Sequence, residues 1–332
     1  MNLTYLICRC HGFETRLLPA NFIRELAMVN HLRDLLERLS QTSYGPRLKD
    51  VRSVWDIERV FAEELMDRFY RLLRITPEGA IYDFLKTYFR KYEIQNLIWI
   101  IRMKRRKAPE DEIRRLLLPT EKIGEVKFEP LIKAENLGEL LTLLGRKEYR
   151  EVVKYGEENL LLIESILKKT YYRQLIKCLS KIPTADRSDI RDIITLEIDL
   201  SNLKLCILAL SYNYDERTVR SLLIRNPRGI PLWKFVATLR KRSPQKFIEH
   251  FPKHRGFLEA VLSGEEWRAD VEYLRTVRRR LQLKKIEKYI SFLYVVKYVI
   301  DLETEYRNLR SIALSIHHNL PLDARRRLLI LP

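Results

Sequence analysis

The chain has 332 residues and a formal net charge of +18, from 62 Lys and Arg against 44 Asp and Glu. Only 10 Gly and 13 Pro are spread over this length, which argues against long flexible linkers, and four scattered cysteines exclude a disulfide scaffold. Apolar residues make up 46% of the chain, and the composition favours helix around a sizeable core. We therefore expect a helical protein whose charge suits nucleic acid, an anionic membrane surface or an acidic protein partner.

The apolar segments of the chain are short. The N-terminus has no basic region before its first apolar residues, and Arg9 interrupts that run. The longest apolar run, over residues 289–296, stops at Lys297 and does not approach the roughly 18 residues of a membrane-spanning helix. We expect neither a signal peptide nor a transmembrane segment.

The first predicted helix runs from Asn21 to Leu39, because its apolar residues lie mostly on one helical face. It contains a pattern of Leu, two residues, two apolar residues, two residues and Leu, which begins at Leu32. The same pattern begins again at Leu137 and, with Phe and Val in the middle, at Leu232. This recurrence predicts an internal repeat of about one hundred residues.

Further helices are predicted between these points. In the first part of the chain they cover 57–73 and a segment starting at Thr76, with Thr76 as N-cap and Pro77 in the first turn. The corresponding stretches later in the chain are 159–179, 188–200 and 266–298, and the segment 124–130 is interpreted as a loop.

A second pattern repeats three times in the same order. An acid stands three residues before an Asn–Leu pair that opens an apolar run, and the asparagines at 96, 202 and 308 lie 106 residues apart. The residues of this marker are Glu93, Asn96, Asp199, Asn202, Glu305 and Asn308. An acid and a polar residue before an apolar run resemble a capped helix N-terminus. The alternative is a polar residue that serves a partner site.

The two patterns together predict three similar helical units in one chain. The unit boundaries fall at short junctions near residues 107 and 213, which gives units 1–107, 108–213 and 214–332. Because neither junction is a long linker, we expect the units to pack against one another.

Sequence signatures of catalysis are missing. The chain has no phosphate-binding loop, no G-x-S-x-G and no H-E-x-x-H. The run Cys8–His11 has the wrong spacing for a zinc site, and no second pair follows it. We therefore predict no catalytic, cofactor-binding or metal-binding residues.

Four basic clusters stand out, at 102–107, 240–242, 278–280 and 325–327. Such runs are commonly solvated faces, and no aromatic-rich RNA-binding motif accompanies them. The first cluster follows the first marker and the last follows the third. The residues of these two clusters that we expect to contact a membrane surface or a partner on it are Lys104, Arg105, Arg106, Arg325, Arg326 and Arg327.

The ordered motifs resemble the C subunit of archaeal-type (A-type) rotary ATP synthases, the counterpart of the vacuolar ATPase d subunit. The resemblance covers nearly the whole chain. The segments that carry it are Leu39-x4-Tyr44-Gly45, the first marker through Arg102, 118–124, 302–308, Leu320-Pro321-x3-Arg325 and 329–332. Individually these motifs are short; their order and the threefold repeat make the resemblance specific.

The resemblance implies an all-α fold of three helical units around a pseudo-three-fold axis, forming a funnel or socket. It implies a non-catalytic central-stalk subunit without cofactors, peripheral on the cytoplasmic face of the membrane. Its implied partners are the D and F shaft subunits and the rotor ring of proteolipid subunits, in proton- or sodium-linked ATP synthesis or hydrolysis. The alternative from the residues alone is an α-helical repeat protein that binds nucleic acid through the basic clusters.

Overall fold

The computed structural model describes residues 3–145, 149–155, 159–282 and 291–331. These residues form α-helices and short 3-10 helices with no strand among them, which confirms the predicted all-α class. The helices are α1 (Leu3–Glu14), α2 (Ala20–Leu26), α3 (Leu32–Ser40), α4 (Val54–Ile75), α5 (Ala80–Phe89), α6 (Lys91–Arg105), α7 (Glu110–Leu116), α8 (Glu129–Lys133), α9 (Leu137–Gly145), α10 (Leu160–Lys181), α11 (Thr184–Ser211), α12 (Glu216–Leu222), α13 (Leu232–Leu239), α14 (Pro244–His250), α15 (Arg255–Leu262), α16 (Glu266–Gln282), α17 (Phe292–His317) and α18 (Leu322–Leu328). The 3-10 helices are Gly45–Arg47, Arg150–Tyr155 and Pro252–His254.

The chain divides into two compact units. The first unit combines Met1–Pro77 with Leu274–Pro332, so it contains both ends of the chain. Its central element is α17, which packs against α1, α2, α3, α4 and α18. Fully buried side chains such as Leu26, Leu35 and Leu309 form its core.

The second unit spans Glu78–Tyr273. Two long helices organise it: α10 packs against α5, α6, α11 and α12, and α11 packs against α13, α14 and α15. The buried aromatic side chains Phe84, Tyr88 and Phe89 of α5 belong to this core. The division of the chain at 107 and 213, and the funnel, remain predictions.

The leucine pattern marks three real helices. The helices α3, α9 and α13 begin at Leu32, Leu137 and Leu232, the first residue of each copy of the pattern. The predicted helix 57–73 is also confirmed within α4, which starts with a reciprocal cap between Ser53 and Asp56. The predicted stretch 266–298 corresponds to α16 and the start of α17, and its residues 283–290 lie outside the described residues.

Two predicted helix boundaries are wrong. The predicted helix 21–39 is broken into α2 and α3, because the chain turns at 27–31 and places Ala27 and Val29 in the core. Thr76 does not cap a following helix: it ends α4, and its hydroxyl donates to the Leu72 carbonyl. The next helix, α5, begins after Gly79, whose φ of 136° lies in a region that L side chains rarely adopt.

No helix among the described residues combines the length and the apolar character that crossing a membrane requires.

Candidate functional sites

The three marker asparagines do not cap helices. Asn96 lies within α6, Asn202 within α11 and Asn308 within α17, and all three are buried. Helical backbone continues for several residues before each of them, so the interpretation as a helix N-terminus is wrong.

Each asparagine instead pairs with the backbone of one residue 22 positions later. The side-chain Nδ2 donates to the carbonyl oxygen of that residue at 2.9 Å in all three cases. The Oδ1 accepts its N–H at 2.9, 2.9 and 2.8 Å. The pairs are Asn96 with Leu118, Asn202 with Ile224, and Asn308 with Ile330. We call these contacts the asparagine clasps.

The chain between each asparagine and its partner follows one plan. The marker helix ends at a residue with positive φ: Lys107 at 57°, Asn213 at 56° and Asn319 at 52°. The N–H of the next residue returns to a carbonyl five residues earlier, as in a Schellman motif. A seven-residue helix follows (α7, α12 or α18), and the clasp holds the second residue after it.

The marker acids of the second unit bind the loops that follow these clasps. Glu93 Oε1 accepts the N–H groups of Glu125 and Val126, both at 2.6 Å, and Arg90 pairs with its other oxygen at 3.0 Å. Gly124 is required here, because a Cβ at this position would collide with the Glu93 carboxylate.

Asp199 also binds the backbone of the loop that follows its clasp, but no arginine corresponding to Arg90 pairs with it among the described residues. Its carboxylate accepts the N–H of Ile230 at 3.0 and 3.1 Å, and a Cβ at Gly229 would collide with it. Burial raises the pKa of Asp199 to about 6, and the Ile230 hydrogen bond only partly opposes that shift. Asp199 therefore carries a charge that its surroundings stabilise poorly.

Glu305, the third marker acid, takes its partners from the start of the chain. Its oxygens accept the backbone N–H of Leu18, the hydroxyl of Tyr44 at 2.7 Å and the guanidinium of Arg68 at 2.8 Å. Leu18 precedes Pro19, the N-cap residue of α2, just as Ile230 precedes Pro231, the N-cap residue of α13. Burial, followed by the negative charge of Glu305, raises the pKa of Tyr44 well above its usual value. Residues from the start of the chain thus donate hydrogen bonds to Glu305, whereas residues of downstream loops donate them to Glu93 and Asp199.

The candidate contact residues of the first basic cluster differ in exposure. Arg105 and Arg106 are exposed at the end of α6. Lys104 is half-buried, and its ammonium group donates to the Ala134 carbonyl at 2.7 Å. The preceding Arg102 forms an ion pair with Glu164 at 2.6 Å. Part of this cluster therefore stabilises the second unit.

The last basic cluster, 325–327, also contains both buried and exposed arginines. Arg325 is buried: its guanidinium donates to the Leu320 carbonyl at 2.8 Å and to the Val29 carbonyl at 2.6 Å. Its expected role as a surface contact is therefore wrong, because its charge is used inside the first unit. Arg326 and Arg327 are exposed and stay candidates.

The described residues contain no cluster of three or more His, Cys, Asp or Glu side chains that could hold a metal ion. Cys10 is buried in α1, and burial raises its thiol pKa to about 12, so that it stays protonated at neutral pH.

Sequence reasoning identified the marker residues but missed their partners. The signal was present: Leu118, Ile224 and Ile330 repeat at the same interval of 106 residues, as do Lys107, Asn213 and Asn319. Apolar residues are too common for that interval to be conspicuous without the hydrogen bonds.

Known proteins are similar to this chain over most of its length. The family model described as ATP synthase (C/AC39) subunit matches residues 6–328. A protein of Pyrococcus abyssi, named as the C subunit of an A-type ATP synthase, is 24% identical over 327 residues, with 93% of this chain and 85% of the relative covered. The protein of the same name from Archaeoglobus fulgidus is 23% identical over 335 residues, covering 98% and 96%.

Proposed function

The chain belongs to the ATP synthase (C/AC39) subunit family, and we propose that it occupies the central stalk of an archaeal- or vacuolar-type rotary ATP synthase. As a homologue of the A-type C subunit, it is an accessory rather than a catalytic component of that complex. The observation that carries the proposal is the family match over residues 6–328.

In this role the protein couples the D and F shaft subunits to the rotor ring of membrane proteolipid subunits. Torque passes through it between proton or sodium flow and ATP synthesis or hydrolysis. It is peripheral, on the cytoplasmic face of the membrane, and needs no cofactor for this work.

The asparagine clasps support a torque-bearing role. Each ties a buried asparagine in the interior of a helix to a chain segment 22 residues away through two hydrogen bonds. Because the paired groups are buried, breaking a clasp would leave polar groups unsatisfied. This free-energy cost opposes deformation of the chain at each clasp. A stalk subunit must transmit load without bending, and packed helices fastened in this way suit it.

Nucleic-acid binding through the basic clusters is less well supported. Each cluster has at least one member engaged within its own unit: Arg102 with Glu164, Arg240 with Glu216, Arg278 with Asp301, and Arg325 with backbone carbonyls. These clusters therefore carry fewer available cations than their sequences indicate.

Affinity purification of the tagged chain from detergent-solubilised membranes tests the proposal. We expect the proteolipid ring and the D and F subunits to co-purify, and we expect calorimetry on the isolated chain to detect no ATP binding. Purification with RNA or DNA in place of these subunits, or stoichiometric ATP binding, would overturn the proposal.

A further inference from the structure

The second unit has an open groove between α10, α12 and α13, with a volume of about 1000 Å³. One wall is formed by α10, and the opposite side is formed by α12, the segment that follows it, and α13. The groove lies entirely within this unit.

The side chains that line the groove carry six positive charges and no negative charge. They are Lys169, Arg173, Arg217, Arg220, Arg225 and Arg240. Arg240 is paired with Glu216 at 2.9 Å, and Arg173 lies 3.8 Å from Glu151. Among the described residues, no carboxylate forms an ion pair with Arg217 or Arg225, and the charge of Arg220 acts on Glu216, which is already paired with Arg240. All three arginines are exposed.

The cations are crowded at the α10 wall. Burial, followed by the charge of Arg173, lowers the pKa of Lys169; Glu151 opposes this shift, and Arg225 adds to it. An anionic ligand would relieve this repulsion, so the charge of the lining favours a negatively charged occupant.

The groove also has an apolar floor. Leu223 and Ile224 are buried there, and the clasp with Asn202 fixes Ile224 in position. Trp233 lines the groove with 70% of its surface exposed, more than any other large apolar side chain described. An exposed Trp beside arginines is the composition found at the energetic centres of protein–protein interfaces.

We propose that this groove binds an acidic amphipathic segment of a partner protein, with its apolar face against Trp233 and the floor and its carboxylates toward the arginines. A groove of this size is at the upper end of small-molecule clefts, and it is open, which suits a polypeptide. Single-stranded nucleic acid would require several aromatic stacking platforms, whereas one aromatic side chain and aliphatic residues line this groove. The inference does not depend on the proposed role in the stalk.

A labelled synthetic peptide tests this site on the purified full-length chain. The probe is about 18 residues long, or about five helical turns, with Leu on one face and Glu on the other. Fluorescence anisotropy should detect binding that weakens with salt. A peptide with Lys in place of Glu should not bind, and a single-stranded RNA of similar length should bind more weakly than the acidic peptide.

Two pairs of variants locate the binding. Arg217→Glu with Arg220→Glu on α12 should weaken binding about tenfold or more, because two attractive charges become repulsive. Arg326→Glu with Arg327→Glu makes the same charge change on α18, the repeat counterpart of α12, and should have less than about a twofold effect. Trp233→Ala should weaken binding about fivefold or more, and the matched exposed-site change Trp55→Ala should not.

Equal losses from both arginine pairs would overturn the proposal, since only net charge would then matter. Tighter binding of RNA, abolished by the α12 variants, would reassign the groove to nucleic acid. Unchanged circular dichroism melting of the variants establishes that any lost binding is local. Co-purification with the synthase subunits tests the proposed function and does not depend on these peptide-binding outcomes.

Discussion

At the scale of single residues, the buried asparagines should contribute more to stability than helix caps would. Asn202→Ala leaves the N–H and carbonyl groups of Ile224 without their partner in a buried setting. Each unsatisfied group costs about 1–3 kcal/mol, so we expect the free energy of unfolding to fall by about 2–6 kcal/mol. Denaturant titration measures this loss. Asn21→Ala, an exposed helical asparagine, is the control and should change stability by less than about 0.5 kcal/mol.

If Asn202→Ala lowers the free energy of unfolding by only about 1 kcal/mol, the loss is typical of a helix cap. That result would contradict the interpretation of the clasp as a pair of buried hydrogen bonds.

Asp199 predicts an unusual dependence of stability on pH. Its pKa is about 6 in the folded chain and 3.8 in the absence of burial, so the folded state binds more protons between these values. Stability should therefore fall as the pH rises from about 4 to about 6, and the deficit should remain above that range. Asp199→Asn keeps an oxygen that can accept the Ile230 N–H and removes the charge.

We expect Asp199→Asn to raise the free energy of unfolding by about 1–3 kcal/mol at pH 7.5, with the gain disappearing near pH 4. Unfolding titrations at several pH values measure both. Asp50→Asn, which removes an exposed charge, should show no such gain. A gain at Asp199 that persists unchanged at pH 4 would show that its cause is not ionisation.

At the scale of elements, the three marker helices end in the left-handed conformation, yet none has glycine there. Lys107 is the least suited, because asparagine tolerates this region better than lysine does. Lys107→Gly should therefore stabilise the chain by about 0.5–1 kcal/mol, and Asn213→Gly by less. Thermal unfolding measures the difference, and Lys107→Ala should give no gain. Destabilisation by Lys107→Gly would mean that the lysine side chain makes a contact worth more than the backbone strain.

The elements also show how far sequence reasoning reaches. The leucine pattern indicated helix at three positions, and α3, α9 and α13 lie there, because its evidence is local: apolar residues spaced for one helical face. It did not indicate where α3 begins, since the predicted helix started at Asn21. The marker was misinterpreted because an acid before a polar residue and an apolar run looks the same at a cap and inside a helix. What separates the two is a partner 22 residues away, and no local pattern reveals it.

The break between α2 and α3 has the same explanation. Residues 21–39 carry a continuous helical pattern, but the chain turns at 27–31 and leaves the Val29 carbonyl outside the helical ladder. Arg325 satisfies that carbonyl from 296 positions away in sequence. A contact this distant in sequence overrides local propensity, and the same contact removes Arg325 from the surface.

At the scale of the whole molecule, the net charge of +18 overstates the charge available to a partner. Lys104 and Arg325 belong to basic clusters but bind backbone carbonyls inside their own units. Their neighbours Arg105, Arg106, Arg326 and Arg327 are exposed. Screening limits electrostatic attraction to about 8 Å at physiological ionic strength. An electrostatic contribution of these two clusters to the proposed docking onto the rotor ring must therefore come from their exposed arginines.

The last prediction concerns the proposed contact with the rotor ring. A Lys or Arg close to an anionic membrane surface contributes about 1 kcal/mol, so a pair of them can change docking measurably. We expect Arg105→Glu with Arg106→Glu, or Arg326→Glu with Arg327→Glu, to weaken binding to purified rings in lipid about tenfold or more at low ionic strength. The salt dependence of the remaining binding should be flatter than in the wild type. Arg24→Glu with Arg33→Glu makes the same charge change at exposed positions of α2 and α3 and is the control. Binding to the D and F shaft should be unaffected by all three pairs. If wild-type ring binding is equally strong at low and high salt, apolar and hydrogen-bonded complementarity holds the contact, and the exposed arginines serve solubility instead.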